Sequence, residues 1–476
     1  MSEQSRVPFR LIRFKNFLLH LLKNKMAFVG LVVLILFLTF AITAPILTPY
    51  VPEGTIVSGV SDAPSWSPLF TGSSDWSLNS VFAFPDTPVI PSTGTTLQVV
   101  SQDSVLLNVS TSQLPGQTLT VEKTLSYQYN GPPKTFSGNL KITPTGLDGT
   151  VGATVRVYIQ REGSQQWLLW QRTGVNASRL YTPGIAFYSD DPVLKKNFNL
   201  PANSGFSPAQ IIFNQKGSYV YALQITLPAG VSNASFSIED FQMFLPGTVW
   251  GYLGTDDSGH DLFTQLAWGA RVSIEVGLLA TFLGIGVGLI VGLLAGFLGG
   301  FFDEVLMRFT DMMLVLPGLP LLIVLVAVLG ASTLNIILVL GLLGWMGFAR
   351  IIRSQVLSLR ERPFIEAARA SGAGTFYITS KHIFPNIVSL TYVNLALSVP
   401  AAIVGEAALS FLGLGASGVT WGRMLEEAKN AGASAGFLLW WWIIPPGICI
   451  AALSLSFILI GYSLDEMFNP RLRRRR

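Results

Sequence analysis

Phe364-Ile365-Glu366-Ala367-Ala368-Arg369-Ala370-Ser371-Gly372, running on to Ile383-Phe384-Pro385-Asn386, is a polar, basic, helix-forming segment with a glycine break. It lies between very hydrophobic stretches, so it must leave the bilayer and offer something to the aqueous side. The composition around it supports that reading. Half of the 476 residues are apolar and 12% are charged, and the mean hydropathy is +0.49. That is too hydrophobic for an ordinary soluble enzyme.

A membrane span needs roughly 20 apolar residues. Met26 to Leu47, Ile274 to Phe302, Met312 to Leu329, Leu334 to Ala349, Ile387 to Val404 and Leu438 to Ile460 each approach that length. The expectation is a polytopic α-helical membrane protein with about six transmembrane helices. The first run is too long for a signal peptide and lacks a small-x-small cleavage site, and Pro45 and Pro49 are expected to end it as a retained helix. Lys and Arg placement sets the orientation. Arg6, Arg10, Arg13, Lys15, Lys23 and Lys25 precede the first run, Arg350, Arg353, Arg360, Arg362, Arg369 and Lys381 surround the opening segment, and Arg471 and Arg473 to Arg476 close the chain. With six spans all three clusters share one face, which the rule makes cytoplasmic. The last four arginines read as a solvated anchor or an anionic-lipid contact, with no nucleic-acid partner.

Between the first two runs, from about Tyr50 to Trp250, Ser, Thr, Gly, Pro and Asn dominate. Apolar residues alternate in Thr154-Val155-Arg156-Val157-Tyr158-Ile159-Gln160, in Tyr219, Tyr221, Leu223, Ile225 and Leu227, and in Phe236 and Ile238. A period of two puts them on one face of half-buried strands, and Asn130-Gly131-Pro132-Pro133 is a turn between such strands. An antiparallel β-sandwich-like insert is expected. Cys449, the single cysteine, lies in the last run, so the insert relies on its own core. Asn108, Asn176 and Asn233 open Asn-x-Ser sequons within it. Leu227-Pro228-Ala229-Gly230, leading into Phe236 to Phe241, resembles the last strands of carbohydrate-binding jelly rolls. Trp66, Trp76, Trp167 and Trp170 are candidates for sugar stacking or, more plainly, core residues. A spacer or a docking surface is the alternative role.

In the membrane half, Gly284, Gly288, Gly292, Gly296 and Gly300 recur every four residues, with Ala280 one step earlier. That spacing lines one helix face with small side chains and lets neighbours approach closely. Pro317 and Pro320 remove backbone donors, so a kink or irregular turn is expected there, lining a cavity or accommodating packing. Glu406 is an ionisable residue near the outer end of the fifth run, either a pathway or gate carboxylate or a satisfied structural one, and Glu275, after Arg271, is interfacial. No Gly-x-x-x-x-Gly-Lys-Ser/Thr loop occurs, and His20, His260 and His382 are scattered. Neither a metal cluster nor a nucleophile with a base is apparent, so the chain on its own is not an enzyme.

Glu366-Ala367-Ala368, three further residues, Gly372, and then Ile383-Phe384-Pro385 resemble the EAA loop of ATP-binding-cassette (ABC) importer permeases, with Phe384 where that family usually has Leu. Gly254-Thr255-Asp256-Asp257-Ser258-Gly259-His260-Asp261 is similar to the entry of the peptide-class permeases, with His260 in place of the usual Arg. Ala270 to Ser273, Asp303, Met307-Arg308, Asp311, Gly344-Trp345, Ala349-Arg350, Gln355 to Arg360, Glu406 to Gly415, Trp421-Gly422 and Asn469 to Arg473 follow in that family's order. Together they resemble the "C" permease of dipeptide/oligopeptide importers, with the large insert as the main departure.

The resemblance implies a type I importer permease fold and a division of the chain. Residues 1–25 form a cytoplasmic basic N-terminus, 26–48 the first transmembrane helix, 49–252 the extracytoplasmic insert, 253–465 the permease core with its coupling loop at about 350–386, and 466–476 a cytoplasmic basic tail. It further implies a multi-pass cell-membrane protein with a homologous second permease, two cytoplasmic ABC ATPases and an extracytoplasmic solute-binding protein. ATP and Mg would sit on the ATPases, and this chain would bind no cofactor. Glu366, Ala367, Ala368, Arg369, Gly372, Ile383 and Pro385 would form the ATPase-coupling element, with the alanines keeping it slim and Glu366 and Arg369 at its rim. The cargo would be a peptide or a related solute, an oligosaccharide included. An ion-coupled secondary transporter and a membrane-anchored carbohydrate-binding protein are the rivals. The first needs membrane-depth charges and internal repeats, and the second needs only one anchor.

Overall fold

The computed structural model describes residues 22–71, 77–82, 95–101, 104–109, 118–147, 152–161, 166–176, 185–228, 231, 234–432 and 439–468. The N-terminal basic residues before Lys23, Trp76, Asn233 and the arginine tail lie outside them. The chain divides into two compact units, Met1–Thr55 with Leu262–Arg476, and Ile56–Asp261.

The first unit is helical. Helix α1 (Lys25–Leu47) starts at Asn24, whose side chain accepts from the Met26 N–H, and whose Nδ2 donates to Glu466 near the end of the last helix at 3.0 Å. Pro45 lies inside α1. The helix passes it and stops at Leu47, ahead of Pro49, with the Thr48 hydroxyl donating to the Ala44 carbonyl. Helix α2 (Leu262–Leu298) has 37 residues, starts a dozen positions earlier than its apolar run, and ends at Gly299 and Gly300, whose φ values of +67° and +55° turn the chain.

The third span is corrected in form. Helices α3 (Gly300–Val315) and α4 (Gly318–Leu329) meet at a 92° bend. At 12 residues α4 is only roughly 18 Å long, short of a bilayer core. The bend falls where Pro317 occupies the N-cap of α4 with extended backbone, because proline forces its predecessor out of the helical region. Charged Asp303, Glu304, Arg308 and Asp311 make α3 a poor membrane-core helix. Helices α5 (Thr333–Gly344) and α6 (Met346–Arg360) run on as one 28-residue span, longer than the Leu334–Ala349 run. After the short helices α7 (Pro363–Ala370) and α8 (Thr375–Ile378), α9 (Phe384–Phe411), α10 (Trp421–Asn430) and α11 (Trp440–Phe468) complete the unit. Among the described residues, five helices are long and apolar enough to cross a membrane, or six if the bent pair counts as one span.

The second unit is an all-antiparallel pair of sheets. Strands β1 (Ser80–Phe82), β2 (Thr95–Ser101), β3 (Ser104–Val109), β5 (Ser137–Thr145), β8 (Ile185–Tyr188) and β10 (Ala234–Leu245) form one. It is ordered β2-β3-β10-β5-β8, with β1 also on β10. Strands β4 (Thr118–Tyr127), β6 (Ala153–Arg161), β7 (Gln166–Val175) and β9 (Gly217–Thr226) form the other, ordered β4-β9-β6-β7. Val121, Leu125, Val155, Leu223, Leu140, Ile142, Phe236 and Ile238, drawn from both sheets, share one buried core. The alternating residues of β6, β9 and β10 therefore face inward, and the unit is a β-sandwich. Tyr221 and Phe241 stack across it at 4.5 Å.

At the ends of this unit, Ile56 bridges His260, so the entry and exit segments adjoin, and Thr255 bridges Asp261 within the exit. Buried Asp62 accepts from Ser58 Oγ at 2.6 Å and pairs with Lys134 at 3.1 Å, while the same Lys134 ammonium donates to the Val60 carbonyl. Burial raises the Asp62 carboxyl above its ordinary value, and Lys134 with the hydrogen bonds of Ser58 and Gly59 pulls it back only in part. A folded value above the unfolded one means stability that is complete below about pH 4 and lost as pH rises through the folded value. Amide exchange at residues 56–62, corrected for intrinsic rates, is expected to report lower local stability as pH rises from 4, and Asp62→Asn to flatten that slope. Parallel curves for the two proteins would refute it.

Candidate functional site

The opening segment forms a short helical excursion beyond the end of α6. Glu361 and extended Arg362 close α6 and turn the chain, and Pro363 starts α7 at the position where a missing N–H costs nothing. Glu366 lies in its first turn and Arg369 in its last, each on the favourable end of the helix dipole. Gly372, at φ +81°, ends it. Its N–H bonds the Arg369 carbonyl at 2.9 Å and the Ala373 N–H bonds the Ala368 carbonyl at 3.0 Å. That paired closure uses a left-handed residue, which favours glycine. A π-helical turn, Thr379–Ile383, then feeds α9, and no sequence signal marked it.

The segment has two faces. Ile365, Ile378, Ile383 and Ile387 are buried in one cluster with Phe297 of α2 and Ile352 and Val356 of α6, and Ala368 packs against it. Glu366, Ala367, Arg369, Gly372 and Pro385 are exposed. The seven candidate residues thus divide: Ala368 and Ile383 anchor the segment, and the other five are displayed. The Arg369 guanidinium lies 5.5 Å over the Phe297 ring, so it also braces α7 against α2. Sequence reading missed the aromatics beside them. Phe376 is 86% exposed, with Phe364 and Tyr377 also exposed, and His382 lies between Phe364 at 6.3 Å and Tyr377 at 5.8 Å. Large apolar side chains in a polar loop, just past a helix-ending glycine, were the available signal.

Ion pairs hold the neighbouring helices. Arg353 of α6 grips Asp303 of α3 through two 2.6 Å bonds, and Arg350 pairs with Asp311. These four line a polar cavity of about 510 Å³ with Glu304 and Arg308. Arg353→Lys replaces a planar fork by a point charge. It is expected to lower the chain's melting temperature by an amount equivalent to about 1 kcal/mol, and an unchanged melting curve would show the pair to be idle.

Four candidate glycines of α2 carry this architecture. A Cβ on Gly284 would lie 3.0 Å from the Gly341 carbonyl oxygen, on Gly288 2.7 Å from that of Trp345, on Gly292 2.6 Å from that of Ala349, and on Gly296 2.8 Å from Val356 Cβ. Each step along α2 meets the next turn of α5 and α6. Gly300 is corrected out of the stripe: it lies past the end of α2 with nothing within 4 Å.

Pro317 precedes a cavity of about 250 Å³, lined by Thr281, Gly284, Gly318, Leu340, Ser398 and Ala401 among others. Thr281 Oγ1 is buried without a hydrogen-bond partner. Glu406 is not among the residues lining it. It is fully buried at the junction of α9 and α10, where Ser410 donates to its Oε1 at 2.6 Å and Thr420 donates to Ser410 at 3.3 Å. Among the described residues no group of His, Cys, Asp and Glu has the geometry of a metal site.

Two family models match the sequence. Residues 288–474 match the binding-protein-dependent transport system inner membrane component, and residues 13–64 the N-terminal transmembrane domain of oligopeptide transport permease C. Most of the β-sandwich lies between the two matched ranges. Among curated relatives, the dipeptide transport system permease protein DppC of Bacillus subtilis is 37% identical over 232 residues, which is 48% of this chain and 72% of the relative. The glutathione transport system permease protein GsiD of Shigella flexneri is 38% identical over 224 residues, 47% of this chain and 73% of the relative. DppC of Alkalihalophilus pseudofirmus is 38% identical over 224 residues, 47% of this chain and 72% of the relative.

Proposed function

The chain belongs to the inner-membrane permeases of binding-protein-dependent ABC importers, in the dipeptide/oligopeptide class, and on that premise we propose that it is the "C" permease of an importer for short peptides or a related small solute. The two-faced segment of α7 carries the reading: its apolar face is fixed to the ends of α2 and α6, and its polar and aromatic face is left to a partner. That partner is one of two cytoplasmic ABC ATPases, which bind ATP and Mg, so this chain performs no chemistry itself. A homologous second permease completes the path, and an extracytoplasmic solute-binding protein delivers cargo. The named relatives transport a dipeptide and glutathione, which supports a peptide cargo.

The proposed orientation rests on counting the bent α3–α4 pair as one crossing. Both termini and α7 are then cytoplasmic, the insert of about 49–252 is extracytoplasmic, and the basic residues obey the positive-inside rule. Movement of α7 by ATP-driven closure of the ATPases passes to α2 and α6 through their shared core, and on to α3 through the Arg353–Asp303 pair, rocking the spans between outward and inward states. Glu406 and Pro317 are proposed to act in that motion, Pro317 as the hinge before the α4 cavity and Glu406 as the joint between α9 and α10.

A mild-detergent pull-down of the tagged chain, with mass spectrometry of its companions, tests the assembly. A second permease and cassette ATPases are the expected partners, and a chain recovered alone overturns the reading. Since Ile56 and His260 are bridge partners, residues 57–259 can be replaced by a short glycine linker. That deletion is expected to leave the ATPases bound, and their loss would make the insert part of the assembly contact.

A further inference from the structure

At one end of the sandwich, β7 is the edge of its sheet and β8 the edge of the other. Together with the helix Pro192–Asn197 they enclose a cleft of about 290 Å³, near the lower end of ligand-pocket sizes, roughly 300 Å³. A β-bulge lies in β7 at this point: Val157 pairs with Trp170 and the next residue, Tyr158, with Leu168, leaving Leu169 extra. Bulges at sheet edges re-aim side chains and recur beside binding sites.

The cleft walls carry a distinct chemistry. Trp170, half-buried against the sandwich core, and Tyr188, 56% exposed, supply aromatic surface beside an apolar floor that includes Leu194. Gln171 and Asn197 supply side-chain amides and Asp191 a carboxylate. Gln171 is oriented, because its Oε1 accepts from Arg156 Nε at 3.1 Å, which leaves its NH₂ to donate elsewhere. Asp191 spends Oδ1 on the Val193 N–H at 2.7 Å and keeps Oδ2. Among the described residues no Lys or Arg lines the cleft, and the nearby Arg156 guanidinium is engaged with Gln171, so these walls favour hydroxyls over a phosphate or a carboxylate. What fits is a neutral ligand with a C–H face for the negative faces of the rings and hydroxyls that both donate and accept.

We propose that the β7–β8 edge cleft of the insert binds a neutral pyranoside, a mono- or disaccharide unit, with Trp170 and Tyr188 as stacking platforms and Gln171, Asn197 and Asp191 holding its hydroxyls. The site is independent of the permease's own cargo.

The test titrates the full chain, in lipid nanodiscs because maltoside detergents are themselves disaccharides, with maltose, cellobiose and xylobiose by calorimetry, and with trialanine as the peptide comparison. Saturable binding of at least one disaccharide is expected, weakened at least about tenfold by Tyr188→Ala and by Gln171→Ala, two exposed positions whose variants are expected to keep the wild-type melting curve. Trp66→Phe, which removes the indole N–H that donates to the Tyr252 carbonyl, at residues that do not line the cleft, is expected to bind as wild type. Absence of binding by all three sugars overturns the proposal. So does sugar binding that both variants leave intact, or trialanine binding that the same variants abolish. None of these results bears on ATPase recovery, which tests the permease reading separately.

Discussion

Gly292→Leu is expected to yield a chain that cannot hold its bundle, recovered in small amount and melting well below wild type. Even the first added atom would lie 2.6 Å from the Ala349 carbonyl oxygen and 2.7 Å from Ile352 Cβ. The first of these is backbone, and it belongs to the helix against which α2 packs most extensively. Overpacking by single methylenes already costs roughly 1–3 kcal/mol, and a leucine adds several more carbons. Lipid offers no compensating hydrophobic drive between helices, so losing close approach removes the main attraction. Gly286, six residues earlier on the same helix, has nothing within 4 Å of its would-be Cβ. Gly286→Leu is therefore the control, expected to behave as wild type in size-exclusion profiles after graded heating. Equal behaviour of the two variants would mean that the stripe is composition alone.

Physical periodicity decided what could be read in advance. The glycine stripe was legible because a spacing of four returns to one helix face, and lipid favours small residues wherever helices touch. The strands β6, β9 and β10 were legible because a period of two survives in a half-buried sheet. The alternation fails at Tyr158, buried on the outer face beside Glu122, and at Leu169, where a bulge slips the register. Both depend on what a neighbouring strand presents, which no local pattern carries. In the α7 segment, the glycine end was legible from backbone chemistry, while the packing of Ala368 against the isoleucine cluster was not drawn from the sequence. The signal was present, since Ala368 follows Ile365 by three residues and must share its face. The bend at Pro317 was expected, but its 92° size and the charged character of α3 needed the charges of that helix to be weighed against its apolar residues. The π-turn at Thr379–Ile383 has no local signature, because it accommodates the packing of Ile378 and Ile383 into the same cluster.

Gly372→Trp should separate docking from folding at the site proposed for the ATPase. In this chain a Cβ at Gly372 meets nothing within 4 Å. The internal cost is thus confined to the backbone, where φ of +81° penalises any L side chain by about 1–2 kcal/mol. The bundle, held by the α2–α6 contacts and the isoleucine cluster, absorbs that much. Membrane insertion and melting temperature are expected to stay near wild type. Outside the chain the situation reverses. Gly372 is exposed, as are Glu366 and Phe376 of the same segment, so an indole there would occupy space that a partner seated on the segment must fill. ATP-dependent uptake and recovery of the ATPases are expected to fall to background. Gly372→Ala carries nearly the same backbone strain with little bulk, so it is expected to retain most of both, which assigns the tryptophan's effect to collision with a partner. Ala368→Trp, by contrast, thrusts its ring into the cluster of Ile365 and Val356 and is expected to destabilise the chain before any partner arrives. If Gly372→Trp transports normally while remaining folded, α7 is not the docking element. Motion of the spans must then be driven from another surface.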